Sequence, residues 1–310
     1  MQKKIMLAVD DSAHSKQAIN YAVTMSSAVK DLHYVIFNVQ PMISSYLQDE
    51  AVKNMKAKAE LDKLHKKNVE KANALLNGYK DQMVSMSVET DRIETITTPS
   101  THGLAKDMLG FAQTKGYDAI VIGRRGLSKI QEKLMGSVTI ELVEHSRVIP
   151  VWIIDGQVAS NKILVAVDGS EYSLRALDHV SFMVSDNENT HLTLFHVKTG
   201  GGNFGQTSLE DGASEELKRI ISRGNERSVD EFHARGVQIL KNAGIGEDRY
   251  EIQMVEKVRN VGKAVIEKAE KEDFGTIVVG RSGASKSFFM GSVSRHIITN
   301  TANRALWVVS

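Results

Sequence analysis

The sequence predicts a duplicated α/β protein, two units in tandem, each a parallel sheet covered by helices on both faces. Three observations predict it. The chain has 310 residues, about twice the usual domain length. It also repeats itself. Lys4-Ile5-Met6-Leu7-Ala8-Val9-Asp10-Asp11-Ser12 returns 158 residues later as Lys162-Ile163-Leu164-Val165-Ala166-Val167-Asp168-Gly169-Ser170. Gly123-Arg124-Arg125-Gly126-Leu127-Ser128-Lys129 returns 157 residues later, at Gly280 to Lys286. Met135-Gly136-Ser137-Val138-Thr139 returns 155 residues later as Met290-Gly291-Ser292-Val293-Ser294. A period of half the chain means a duplicated domain rather than a solenoid. Finally, short apolar runs alternate with helical periodicity throughout, the pattern of a parallel sheet buried on both sides. The expected domains are residues 1–155 and 161–310, joined by a short polar linker between Asp155 and Lys162.

In the first copy, strands are expected at Ile5–Val9, His33–Val39, Val88–Ile93, Ala119–Ile122 and Val151–Ile154. Helices are expected at Ser15–Ser27, Glu50–Tyr79, Thr101–Thr114 and Ser137–Glu144. The longest carries Val52, Met55, Leu61, Leu64, Val69, Ala72, Leu75 and Leu76 at mostly three- and four-residue steps, its many lysines forming a solvated face. In the second copy the strands are Ile163–Val167, Leu192–Val197, Arg249–Met254, Thr276–Val279 and Leu306–Val309. Its helices are Ser173–Met183, a long region from Leu209 to Asn242 weakened by Gly224 and Gly236, Val261–Lys271 and Val293–Thr299.

Composition excludes several function classes. Lys+Arg 39 against Asp+Glu 38 leaves a formal charge of +1, so no overall basic field exists to hold nucleic acid or an acidic membrane. With no cysteine, disulfides, thiol catalysis and cysteine metal sites are excluded. The N-terminal apolar run ends at Val9, too short for a signal peptide, and no stretch approaches a membrane span. A soluble, cytoplasmic protein is expected.

In an open parallel sheet, ligands sit beyond the carboxyl ends of the strands, where strand order reverses. Asp10 and Asp168 close the first strand of each copy, and Gly123 and Gly280 close the fourth. Gly123 and Gly126 lack Cβ atoms, so backbone there can turn sharply and approach a ribose or phosphate. Gly136-Ser137 opens the next helix, whose N–H groups and dipole favour an anion. Ser137 and Thr139 add hydroxyls, and Arg124, Arg125 and Lys129 add positive charge. The plainer alternative is a strand-to-helix turn with Ser137 as a cap, and Asp10 or Ser12 capping the helix that follows. Asp10 could equally accept a hydrogen bond from a ribose hydroxyl or a base. Spacing alone leaves an anion or nucleotide site.

These residues resemble the universal stress proteins in tandem form. That family ends its first strand in Asp-x-Ser, and its nucleotide-binding branch carries G-x2-G-x9-G-[ST] after strand four. Gly123, Gly126, Gly136 and Ser137 match this spacing, whereas Gly280, Gly283, Gly291 and Ser292 match in type with only seven residues between the last two glycines. The resemblance implies Rossmann-like (adenine nucleotide alpha hydrolase-like) domains with strand order 3-2-1-4-5. It also implies ATP or another adenine nucleotide as ligand, with or without magnesium, and a role in stress resistance. Carried over, Ala8, Val9 and Asp10 with Val39 and Ile122 surround adenine and ribose. Gly123, Arg124, Gly126, Gly136, Ser137 and Thr139 surround the phosphates. The second copy offers Ala166, Val167, Asp168, Val197, Val279, Gly280, Gly283, Gly291, Ser292 and Ser294. Two residues fewer in its loop remove up to roughly 7 Å of contour, so the first copy is expected to be the tighter site.

Two motifs mislead. Gly200 to Gly205 satisfies G-x-G-x-x-G but opens no amphipathic helix at once, and Gly200 to Thr207 imitates a P-loop with Gln206 where lysine is required. A flexible loop is expected there. The ten histidines show no metal-binding pattern, and His145 and His196 are expected in structural roles. No nucleophile–base arrangement stands out, which favours a nucleotide-binding regulatory module with an unknown protein partner. The alternatives are a slow ATP-hydrolysing enzyme and a signalling protein that binds no nucleotide. The fifth strands are apolar, and in the fold that the resemblance implies they lie at sheet edges, where they are expected to meet in an intramolecular pseudo-dimer.

Overall fold

The computed structural model describes residues 2–125, 135–199, 233–258, 260–282 and 290–310. The chain divides into two compact units, Met1–Val23 with Asp31–Ile154, and Thr24–Lys30 with Asp155–Ser310.

In unit 1 the strands are β1 (Lys3–Ala8), β2 (Leu32–Gln40), β3 (Ile93–Pro99), β4 (Ala119–Gly123) and β5 (Val151–Ile154). They pair in parallel in the order β3-β2-β1-β4-β5. The helices are α1 (Ala13–Thr24), α2 (Ser45–Lys53), α3 (Met55–Ser85), α4 (Leu104–Lys115) and α5 (Ser137–His145). In unit 2, β6 (Ile163–Val167), β7 (Leu192–Thr199), β8 (Tyr250–Val258), β9 (Thr276–Gly280) and β10 (Ala305–Val309) repeat the order as β8-β7-β6-β9-β10, again parallel. Here α6 is Glu171–Val184, α7 covers helical residues 233–242, α8 is Val261–Lys271 and α9 is Ser292–Asn300. The rest of the helical region expected from Leu209 lies outside the described residues, as does the Gly200 to Thr207 stretch.

The central strands are apolar on both faces because helices cover both. Ile5, Leu7, Ile120 and Val121 in unit 1, and Leu164, Val165, Ile277 and Val278 in unit 2, are fully buried. Both first helices start on a serine. Ser12 Oγ accepts the Ser15 N–H at 3.1 Å, and Ser170 Oγ accepts the Ser173 N–H at 3.2 Å. Each hydroxyl satisfies one of the donors a helix start leaves unpaired.

Three expectations are corrected. The single helix over Glu50–Tyr79 is two, because Asn54 leaves helical geometry and its Oδ1 accepts from the N–H groups of Lys56 and Ala57, starting α3 afresh. The third strand runs over Ile93–Pro99, not Val88–Ile93. Ser87 takes a left-handed φ of 69° and the Val88 N–H returns to Met83 O, so Val88 closes α3. The helix expected from Thr101 starts at Leu104, because the preceding residues form a loop around Asp107.

Candidate functional site

The sheet order puts β1 beside both β2 and β4, so the switch point of unit 1 lies at the carboxyl end of β1. Register pairs Ala8 with Phe37 on one side and with Ile122 on the other. Two residues on, Asp10 is therefore level with Val39 and with Arg124. Unit 2 repeats the layout, with Val167 paired to His196 and Val165 to Val278, which sets Asp168 level with Val197 and Arg281. Ala8, Val9, Val39 and Ile122, and in unit 2 Val167, Val197 and Val279, are buried around these ends; Ala166 is half-buried.

The glycines ending the fourth strands are required by packing. A Cβ on Gly123 would lie 2.7 Å from the backbone carbon of His14 in the first turn of α1, and one on Gly280 would lie 2.7 Å from that of Tyr172 in α6. No side chain fits, so strand four can approach the helix only as glycine. From there the chain returns by paired backbone bonds. The Gly136 N–H donates to Arg124 O at 2.9 Å and the Gly291 N–H to Arg281 O at 3.0 Å. Hydroxyls brace the same corner. Thr139 Oγ1 donates to Gly123 O at 3.2 Å and Ser294 Oγ to Gly280 O at 2.6 Å. Both side chains are buried, so their hydroxyls are committed to the backbone. Arg124 is buried as well, at 4 % exposure. Gly136 and Gly291 are the N-caps of α5 and α9 and supply no capping side chain. Among the described residues, no side-chain cap is made at the start of either helix, at Ser137 or at Ser292. Gly126 and Gly283 lie outside the described residues.

The two acids are held differently. In unit 1, Ser15 Oγ donates to Asp10 Oδ1 at 2.7 Å and accepts the Asp10 N–H at 2.9 Å. Tyr79, from α3, donates its hydroxyl to Asp10 O at 2.7 Å. Burial, then the nearby charges of Asp10 and Asp11, push the Tyr79 hydroxyl up to about 12. In unit 2, Asp168 Oδ1 accepts the Ser170 N–H at 3.0 Å across Gly169, whose φ of 81° a side chain would resist. Beside each acid a side chain from the second strand takes the preceding carbonyl. Asn38 Nδ2 donates to Val9 O at 2.8 Å, and His196 Nδ1 bonds Val167 O at 3.0 Å. Sequence reasoning missed Tyr79 and Asn38. A tyrosine closing the apolar stripe of a long helix was the available signal, since a buried phenol needs a partner for its hydroxyl. His145 bonds Glu141 O within α5, a structural role like that of His196.

On the rim of unit 1, Asp107 organises the loop between β3 and α4. Its carboxylate accepts the N–H groups of Thr101 and His102 and the hydroxyls of Ser100 and Thr101. Burial alone would raise its pKa, but these bonds outweigh burial and hold the carboxyl below its ordinary value.

Two 3-2-1-4-5 units in tandem, each with an acid after its first strand and a packed glycine ending its fourth, define a duplicated, doubly wound α/β protein. The model of the Universal stress protein family matches residues 1–155 and again 160–309, and the chain belongs to that family. A universal stress protein from Archaeoglobus fulgidus DSM 4304 is similar over 99 % of this chain and 98 % of its own, at TM-score 0.62 and 19 % identity. A protein from Pseudomonas aeruginosa UCBPP-PA14 assigned as a universal stress protein is similar over 99 % of this chain and 93 % of its own, at TM-score 0.60 and 13 % identity. A universal stress protein solved in complex with cAMP is similar over 48 % of this chain and 96 % of its own, at TM-score 0.34 and 19 % identity. The search of curated proteins gives no match. Among the described residues no helix is long and apolar enough to cross a membrane.

Proposed function

We propose that this chain is a regulatory module that binds an adenine nucleotide, ATP foremost, at the switch point of its units, and that occupancy adjusts its hold on a stress-response partner. One observation carries the reading. In both units the first-strand acid lies at the carboxyl end of one strand, and the helix that follows the neighbouring fourth strand starts on a glycine with no side-chain cap. Asp10 Oδ2 has no hydrogen-bond partner among the described residues, which fits an acceptor for a ribose hydroxyl. The N-termini of α5 and α9, with no side-chain cap from their N-cap glycines, fit phosphate oxygens. Any magnesium would be carried by the nucleotide phosphates. Unit 1, with the full-length glycine loop and the more firmly held acid, is the tighter site.

Two measurements test this. Mass spectrometry of small molecules released on denaturing the purified protein should find an adenine nucleotide. Calorimetry with ATP should give binding that Asp10→Ala weakens at least tenfold, with Asp168→Ala affecting a weaker site. No released nucleotide and no heat with ATP would refute the proposal.

A further inference from the structure

We propose that Tyr79 is a positioning residue for Asp10, and that its hydroxyl lets unit 1 select a ribose with free 2′ and 3′ hydroxyls. The inference rests on the nucleotide reading and adds to it a residue from a helix that carries no part of the glycine motif.

Asp10 is fixed at three atoms. Its N–H and Oδ1 are held by Ser15, and its carbonyl is held by Tyr79, which lies 69 residues away in sequence. Ser15 is itself seated, since its N–H bonds Ser12 Oγ at the helix cap. The Tyr79 ring is buried at 3 % exposure and so cannot swing away without unpacking α3. Its hydroxyl stays protonated throughout the working pH range and is a constant donor. A carbonyl held from α3 and a carboxylate held from α1 leave the chain after β1 little freedom. Oδ2 therefore keeps one direction before any ligand arrives, and the ordering cost of binding is already met. Among the described residues of unit 2, Asp168 is held by a local bond across Gly169 and no tyrosine reaches it.

The selectivity follows from what Asp10 touches. A ligand without ribose hydroxyls gains nothing from a well-aimed carboxylate, whereas ATP does. Tyr79→Phe keeps the ring and its packing and removes only the hydroxyl. The test is calorimetry on the full chain carrying Asp168→Ala, with ATP and with 2′,3′-dideoxy-ATP. The parent should prefer ATP. Tyr79→Phe should weaken ATP roughly five- to tenfold and leave the dideoxy affinity unchanged, so that the preference collapses. Ser15→Ala, which removes the other tether, should collapse it too. In an Asp10→Ala background, Tyr79→Phe should have no further effect. Equal weakening of both ligands would mean a merely structural tyrosine and overturn the inference. An unchanged preference in Tyr79→Phe, with Asp10→Ala abolishing it, would overturn the inference and leave the nucleotide reading standing. A parent that binds no ATP would overturn that reading and the inference with it.

Discussion

His179 sits in α6 with its ring edge-on to Trp307 of β10, the centroids 5.7 Å apart, and is buried. Burial lowers its pKa from 6.5 to about 3, so the folded protein keeps it neutral while the unfolded chain protonates it near 6.5. Its contribution to stability is complete above 6.5 and is lost progressively as pH falls toward 3. Between pH 7.5 and 5 that loss is about 2 kcal/mol. Denaturant unfolding of the parent and of His179→Phe at both pH values should show a smaller acid loss in the variant, whatever its stability at neutral pH. Equal losses would mean that other groups set the acid sensitivity. Gly123 makes a steric prediction of a different kind. Gly123→Ala places a methyl group 2.7 Å from the His14 backbone and should cost roughly 1–3 kcal/mol even with no nucleotide present. An unperturbed melt in ligand-free buffer would show that α1 yields without cost.

At the scale of elements, α6 shows how a side chain distant in sequence helps to close a helix end, beside the local bonds from Ser185 Oγ to Phe182 O and from Asn187 N–H to Val184 O. Arg249, just before β8, donates from Nη2 to Val184 O at 3.0 Å and Asn187 O at 2.6 Å, from Nη1 to Ser185 O at 3.3 Å and from Nε to Thr190 O at 3.5 Å. One guanidinium thereby answers the last carbonyls of α6 and the negative end of its dipole. Lysine has a single point charge and cannot span the set. Arg249→Lys should therefore lose most of what Arg249→Ala loses, about 2–3 kcal/mol. Full rescue by lysine in a chemical denaturation series would show that charge alone matters. The central strands were legible in the sequence because burial on both faces makes them continuous apolar runs, as in Ala119–Ile122 and Thr276–Val279. The edge strand β3, Ile-Glu-Thr-Ile-Thr-Thr-Pro, was not, since only Ile93 is fully buried and the rest carries no such run. The break at Asn54 was hidden for a related reason. α2 buries none of its residues, so periodicity there had no core to report on. At the site, the acids and glycines were visible as a repeat, but Tyr79 and Asn38 were not, because their partners are backbone carbonyls that no side-chain spacing reveals.

At the scale of the whole molecule, the two copies have kept the same corner and changed what surrounds it. Both retain the glycine under the helix, the hydroxyl bonded to its carbonyl and the backbone return to the arginine. The last strand is equally indispensable to unit 2. Trp307 is fully buried, Val309 pairs with Gly280, and Val309 O accepts the Arg281 N–H at 2.7 Å. Removing Trp307 to Ser310 deletes a core indole, worth about 3–5 kcal/mol by itself, together with a whole strand and that anchor, which should exceed the roughly 5–15 kcal/mol reserve of a domain. Hydrogen exchange should then find the amides of β6 and β9 unprotected while those of β1 and β4 stay slow, and a truncated chain with protected β9 would refute this. The enclosed glycine has a consequence for tracing descent. Because the approach of α1 or α6 alone demands it, a copy that has lost every ligand will still carry it, and mutation there is punished in the fold before it is felt in binding. Its presence in a relative is evidence of shared ancestry and says nothing of present use. The informative comparison is whether a tyrosine still reaches the acid from the long helix, since nothing in the packing of the strand end obliges a lineage to keep that hydroxyl.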